Sequence, residues 1–247
     1  MKQFYIFNEE LYHKYAVFEW IENELEPDVA ARILPSLEIA GIDYSIIEAV
    51  EAKSQGDFVN PLNFGVDEHL DYDVVSIDFE TCNSSRMSVC AMGIVLFKDG
   101  KVLSRRYRFV KPPREHLYFE PRIMAIHGIK RKDVLSADEF DILWSNEIEK
   151  LFSDKLIVFH NSAMEAAALR QLFEYFDIDT KLCYIDTLQV ARRINGRNGN
   201  RLNQLADRFG LPLDHHNPLS DAEVGGWIFH IFERDFGMNR DDFIRTL

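Results

Sequence analysis

The run Val74-Val75-Ser76-Ile77-Asp78-Phe79-Glu80 constrains this chain more than any other stretch of it. Side chains alternate across a β-strand, so Val75, Ile77 and Phe79 share one face while Asp78 and Glu80 share the other. Two like charges side by side at the end of a buried strand are costly unless a cation joins them, and a divalent metal is the usual solution. Metal-dependent chemistry is therefore the first expectation.

The surrounding pattern places that strand in an α/β layer structure. Val74–Glu80, Val89–Phe97 and Val102–Val110 read as three strands, and Lys98-Asp99-Gly100-Lys101 between the last two is a hairpin signal. From Asp138 the chain alternates helix and short strand: Glu139–Phe152 helical, Leu156–Phe159 a buried strand, Ala163–Phe176 an amphipathic helix, Cys183–Ile185 a strand. Thr187–Ile194, Leu202–Phe209 and about Leu219–Phe236 follow as helices, with Gly210 stopping the second of them. A mixed sheet results, antiparallel first and parallel later, flanked by helices.

Charge divides the chain differently. Of the net −13, residues 1–70 carry 14 acids against 4 bases, and residues 71–247 carry 27 against 24. The front segment reads as helices (Phe7–Leu25, Asp28–Ile39, Tyr44–Lys53), followed by a Gly- and Pro-containing linker over Ser54–Tyr72. The expected organisation is a small, acidic, mostly helical N-terminal domain or extension over 1–68 and a main domain over 69–247. Helix lengths in the front segment suggest a small protein-binding module. No run approaches membrane-spanning length. The N-terminus mixes Glu9, Glu10, Lys14 and Glu19 into its apolar residues, so no signal peptide is expected there. Cys82, Cys90 and Cys183 are odd in number and lack metal-site spacing, which fits a reducing cytoplasm; all three read as small, mostly buried side chains.

Five passages, in order, resemble the DEDDh 3′→5′ exonucleases of the ribonuclease-H-like superfamily, and most closely the DnaQ-like family of DNA polymerase III epsilon-type proofreading subunits, over about residues 73–235. They are Ile77-Asp78-Phe79-Glu80-Thr81; Ile126-His127-Gly128-Ile129 with Asp133-Val134; His160-Asn161-Ser162-Ala163-Met164-Glu165; Ile185-Asp186-Thr187-Leu188; and His216-Asn217-Pro218-Leu219-Ser220-Asp221-Ala222. The spacing H-x4-D selects the histidine branch, since the tyrosine branch would need Tyr where Asn217 stands.

The resemblance implies a ribonuclease-H-like mixed sheet of five strands. It also implies two Mg²⁺ or Mn²⁺ ions held by Asp78, Glu80, Glu165 and Asp221, with His216 as general base toward water. Thr81 and His127 would lie against a single-stranded 3′ end, and Asn161 would touch a phosphate or cap a helix. Nucleoside 5′-monophosphates would be released. A replication or repair protein is the partner implied for the front segment. One position departs from the family, which has aspartate where Glu165 stands; the extra methylene implies a slower enzyme or altered metal preference, with a catalytically impaired binding module as the alternative.

Simpler readings stand beside these. Ser162-Ala163-Met164-Glu165 fits an S-x-x-E capping box, Asp221 is a first-turn acid suited to a helix dipole, and Asp186 reads as an N-cap. His160 reads as structural, and His215 as a solvent-exposed neighbour out of register. Arg192, Arg193, Arg197 and Arg201 form either a solvated face or a grip on a phosphate backbone, whereas the bases from Lys98 to Lys111 alternate across a strand and weigh less.

Overall fold

The computed structural model describes residues 70–247. The expectations for the front helices, the linker and the boundary near residue 68 lie outside the described residues.

Six strands form one mixed sheet: β1 (Val74–Thr81), β2 (Val89–Lys98), β3 (Lys101–Phe109), β4 (Leu156–Phe159), β5 (Cys183–Asp186) and β6 (Arg245–Thr246), in the order β3-β2-β1-β4-β5-β6. β1, β2 and β3 are antiparallel neighbours, β4 lies parallel to β1, and β5 lies parallel to β4. The expected sheet thus stands with one strand more. β6 is two exposed residues antiparallel to β5, too short to show any alternation in sequence. The hairpin turns at Asp99 (φ 50°) and Gly100 (φ 75°), the pair of left-handed residues that a tight two-residue turn demands.

The helices are α1 (Pro121–His127), α2 (Arg131–Val134), α3 (140–152), α4 (Glu165–Tyr175), α5 (Thr187–Asn195), α6 (Leu202–Phe209) and α7 (Pro218–Phe236). α1 was not foreseen as a helix, because it buries no residue and so carries no apolar stripe. α3 contains a π-turn, Trp144–Ile148, which carries Glu147. None of the described helices is long and apolar enough to cross a membrane.

On one face of the sheet, Val75, Ile77 and Phe79 of β1 join Met92, Ile94 and Leu96 of β2 in a core with Phe140, Trp144 and Ile148 of α3 and Leu169, Leu172 and Phe173 of α4. Trp144 and Phe173 meet edge to face at 4.7 Å. α7 covers the opposite face, the one carrying Asp78 and Glu80. Its approach is unusually close: Gly93, paired with Asp78 in the β1–β2 ladder, lies where an added Cβ would stand 2.1 Å from the Pro218 carbonyl oxygen. Residues directly opposite in an antiparallel ladder share a face, so the glycine clears the space beside Asp78 that the start of α7 fills.

Cys82 and Cys90 are buried as expected, but Cys183 is exposed: it opens β5 beside the exposed Thr246, at the thin edge of the sheet.

The close approach makes a prediction. Gly93→Ala meets backbone that cannot yield and is expected to cost about 1–3 kcal/mol of stability. Gly225→Ala meets the Ser76 hydroxyl at 3.4 Å and the His160 Cβ at 3.8 Å and gains up to about 1 kcal/mol of helix propensity, so it should be neutral or stabilising. Denaturant unfolding of the two variants checks this; equal behaviour would contradict the packing described.

Candidate active site

Three elements converge at the carboxyl ends of the parallel strands, where ligands bind in open α/β sheets. β1 ends in Asp78 and Glu80, with a register shift between Glu80 and Thr81 of the kind that re-aims side chains at functional sites. α7 begins with Asn217, whose side chain accepts from the Leu219 N–H at 3.2 Å, and with Pro218 in its first turn. That cap-then-proline start sets Asp221 in the first turn. β4 runs into the loop 160–164, which delivers Glu165 to the start of α4.

Asp186 fastens that loop. Its carboxylate accepts from the Leu188 N–H at 2.9 Å, the N-cap expected of it, and also from the Asn161 N–H and the Ser162 hydroxyl, each at 2.9 Å. Asn161 holds φ 74°, a conformation that asparagine tolerates better than most residues. The capping box does not form: α4 starts at Glu165 with Met164 at its N-cap position and no side-chain cap, and the Ser162 hydroxyl donates to Asp186 instead. Glu165 is therefore not a cap residue. It is buried, 5% exposed, and its Oε2 atom has no hydrogen-bond partner.

Oxygens of Asp78, Glu80 and Asp221 lie within 4.8 Å of one another. Burial, with the charges of Glu165, Asp221 and Glu80 added, holds Asp78 well above the ordinary carboxylate range. Burial and Asp221 push Glu80 up to about 8, and burial, opposed by a local backbone hydrogen bond and reinforced by the neighbouring acids, pushes Glu165 up to about 8. Asp221 is raised by burial too. These are the marks of carboxylates gathered for a cation, and an all-oxygen donor set of this kind suits a hard divalent ion.

Asp221 is held in place by two donors, the His216 backbone N–H at 3.0 Å and His215 Nδ1 at 3.2 Å. His215 is exposed, as its reading from sequence had it, yet it is bonded to Asp221 and stacked on the His216 ring at 3.9 Å and 19°. Nothing in the H-x4-D spacing could signal that contact, since His215 lies outside it. His216 itself adopts φ 71°, a strained turn conformation for a histidine. Burial, with His215 beside it, lowers its pKa and favours the neutral imidazole.

His127 and His160 have internal partners. His127 Nδ1 accepts from the Ile129 N–H at 3.0 Å, so Nε2 carries the proton and donates to the Thr81 carbonyl at 3.1 Å. His160 Nδ1 donates to the Thr187 hydroxyl at 2.9 Å, which donates onward to the Phe159 carbonyl, and burial lowers the His160 pKa to about 4. The first ties α1 to the end of β1; the second is the structural histidine expected. Beside His216 a cleft of about 250 Å³ opens between Tyr107, Ile126, His127 and Ile129 on one side and residues 214–218 on the other.

A family model for RNase T-type exonucleases matches residues 75–228. The chain belongs to the DnaQ-like DEDDh exonuclease family. It is 25% identical over 165 residues to the DNA polymerase III subunit epsilon of Haemophilus influenzae, covering 61% of this chain and 63% of that protein, and so spans less than two thirds of that relative's length. Exonuclease X in complex with 5′-overhanging duplex DNA superposes with a TM-score of 0.57 at 20% identity, covering 69% of this chain and 96% of the other. The nuclease domain of 3′hExo bound to rAMP gives 0.57 at 17%, covering 66% and 93%. These likenesses carry the ribonuclease-H-like fold.

The carboxylate cluster links pH to stability. A carboxyl whose pKa rises on folding keeps in the native state a proton that the unfolded chain releases near pH 4; its contribution is whole below that value and is lost as pH rises through the folded pKa of about 8. In EDTA the melting temperature should therefore fall between about pH 5 and pH 9, with Mg²⁺ or Mn²⁺ restoring it most at the alkaline end. A melting temperature that is flat or rising with pH in EDTA would contradict the cluster's electrostatics.

Proposed function

We propose that the chain hydrolyses the terminal phosphodiester at the 3′ end of single-stranded nucleic acid and releases nucleoside 5′-monophosphates. The observation that carries this is the gathering of Asp78, Glu80 and Asp221, with the buried, unpartnered Glu165 electrostatically coupled to them, next to His216, which lines a cleft of about 250 Å³. Asp78, Glu80 and Asp221, with Glu165 completing the set, would hold two divalent ions, Mg²⁺ or Mn²⁺. When bound, such ions stabilise charge on the attacking and leaving oxygens.

The chain's own residues do the rest. His216 accepts the proton of the attacking water, and its lowered pKa keeps it able to do so at neutral pH. His215 and the His216 backbone fix Asp221 so that its oxygens keep one orientation. His127 serves the substrate side by pinning the Thr81 carbonyl and forming a wall of the cleft, rather than by donating to a phosphate. Thr81, next to Glu80 on β1, would meet the terminal nucleotide, and the exposed Asn161, in the loop before Glu165, would meet a phosphate. Neighbours in the fold hold DNA in one case and rAMP in another, and the proposal covers both sugars.

Glu165 brings the family's fourth carboxylate in on a longer arm, and the reading here is a working enzyme of reduced rate or altered metal preference. The test is a gel assay of 3′- and 5′-labelled single-stranded DNA and RNA with Mg²⁺, Mn²⁺ or EDTA. A metal-dependent ladder from the 3′ end is expected, absent in Asp78→Ala, reduced about 10²- to 10⁴-fold in His216→Ala, and faster in Glu165→Asp. Wild-type rates in both alanine variants would end the proposal. A silent wild type with an active Glu165→Asp would favour the catalytically impaired binding module.

A further inference from the structure

We infer that the exposed arginines at the end of α5 and in the loop behind it form a second nucleic-acid contact, holding phosphates of the substrate strand upstream of the nucleotide being removed. The inference rests on the exonuclease reading for which strand is held. It has separate support in the charge pattern of the molecule.

Residues 187–208 hold five arginines, Arg192, Arg193, Arg197, Arg201 and Arg208, and a single carboxylate, Asp207, in a chain whose net charge is −13. The first four are exposed. Several arginines of the sheet and of the last helix are neutralised by acids: Arg105 binds Glu223, Arg106 and Arg108 share Glu147, and Arg240 binds Glu233 and Asp73. Among the described residues, none of Arg192, Arg193, Arg197 and Arg201 has a carboxylate at ion-pairing distance. Positive charge concentrated without counter-charge in an acidic protein suits a polyanion.

The patch is also a built surface. The buried Asn200 donates to the Gly196 carbonyl at 2.7 Å and accepts from the Asn195 amide at 3.2 Å, closing the loop that carries Arg197. The Arg201 N–H donates to the Gln204 side chain at 3.2 Å, which sets the start of α6. Arg193 lies over the Phe243 ring at 5.9 Å, leaving Arg192, Arg197 and Arg201 as the outward charges.

Position relates the patch to the carboxylates. α5 starts at the residues that organise the Glu165 loop, since Asp186 holds Asn161 and Ser162, and Thr187 holds His160. Arg192 follows Thr187 by five residues, roughly 7.5 Å along the helix axis. Arg192 also acts electrostatically on His160, the residue that opens the loop leading to Glu165, so the patch begins beside that loop. An acidic protein segment could meet the same charges, but only the strand is led there by the site itself.

The test uses the full chain carrying Arg192→Ala, Arg197→Ala and Arg201→Ala together. All three side chains are exposed, so unchanged melting is the control for folding. Fluorescence anisotropy in EDTA, with a labelled single strand of about twenty nucleotides, should show affinity lower by about tenfold and a log–log salt slope shallower by about 2, at ~0.7 per lost contact. In Mg²⁺ or Mn²⁺, KM for the long strand should rise with kcat kept, while hydrolysis of a dinucleotide stays at the wild-type rate. An unchanged salt slope and long-strand KM, or an equal loss on the dinucleotide, would overturn the inference. If wild type hydrolyses neither substrate, the exonuclease reading fails, and the anisotropy still decides whether the patch binds nucleic acid.

Discussion

Mutual repulsion among carboxylates that are partly withdrawn from water is the constraint on which this structure turns. Asp78, Glu80, Glu165 and Asp221 would separate if the chain allowed it, and each is prevented by a different device. A strand's two-residue period holds the first pair on one face. Gly93 admits the start of α7 against the ladder and brings Asp221 in. Asp186 ties down the loop whose far end is Glu165. Burial first, and the neighbouring acids second, raise the pKa values of Asp78, Glu80 and Glu165, which is why a divalent cation would be welcome there.

The frame around the cluster uses opposite charges to fix register. Arg105 on β3 makes a two-pronged contact with Glu223, two residues beyond Asp221 on α7, with both distances 2.6 Å. Arg106 and Arg108 point to the other face and close on Glu147, which the π-turn of α3 presents. Such partly buried pairs add little net stability against apolar replacements, but breaking one leaves a stranded charge. Their consequence here is geometric: α7 is tied to Arg105 of the edge strand, and α3 to Arg106 and Arg108.

Much of this was legible in residues whose role is local. Asp78 and Glu80 declared themselves by alternation, Asp99-Gly100 by turn chemistry, and Leu202–Phe209 by an apolar stripe ended at Gly210. Asp186 showed as an N-cap, although its bonds to Asn161 and Ser162 did not, because they join residues about 25 apart in sequence. Glu165 illustrates the limit of a local motif: S-x-x-E is a sound cap pattern, and it fails because the helix starts at Glu165 itself, with Met164 rather than Ser162 at the N-cap position. α1 and β6 carry no periodic signal, since one buries nothing and the other is two residues long. His215 was set aside for its register, yet its ring stacks on His216 and its nitrogen reaches Asp221 through a turn that spacing alone does not describe.

The most direct measurement of the central claim is a titration of manganese into metal-free protein, with bound ions counted by electron paramagnetic resonance. About two ions per chain are expected, close enough for their spins to couple, with tight binding lost in Asp78→Ala. Binding in wild type no tighter than in Asp78→Ala would show that the carboxylates do not gather a cation.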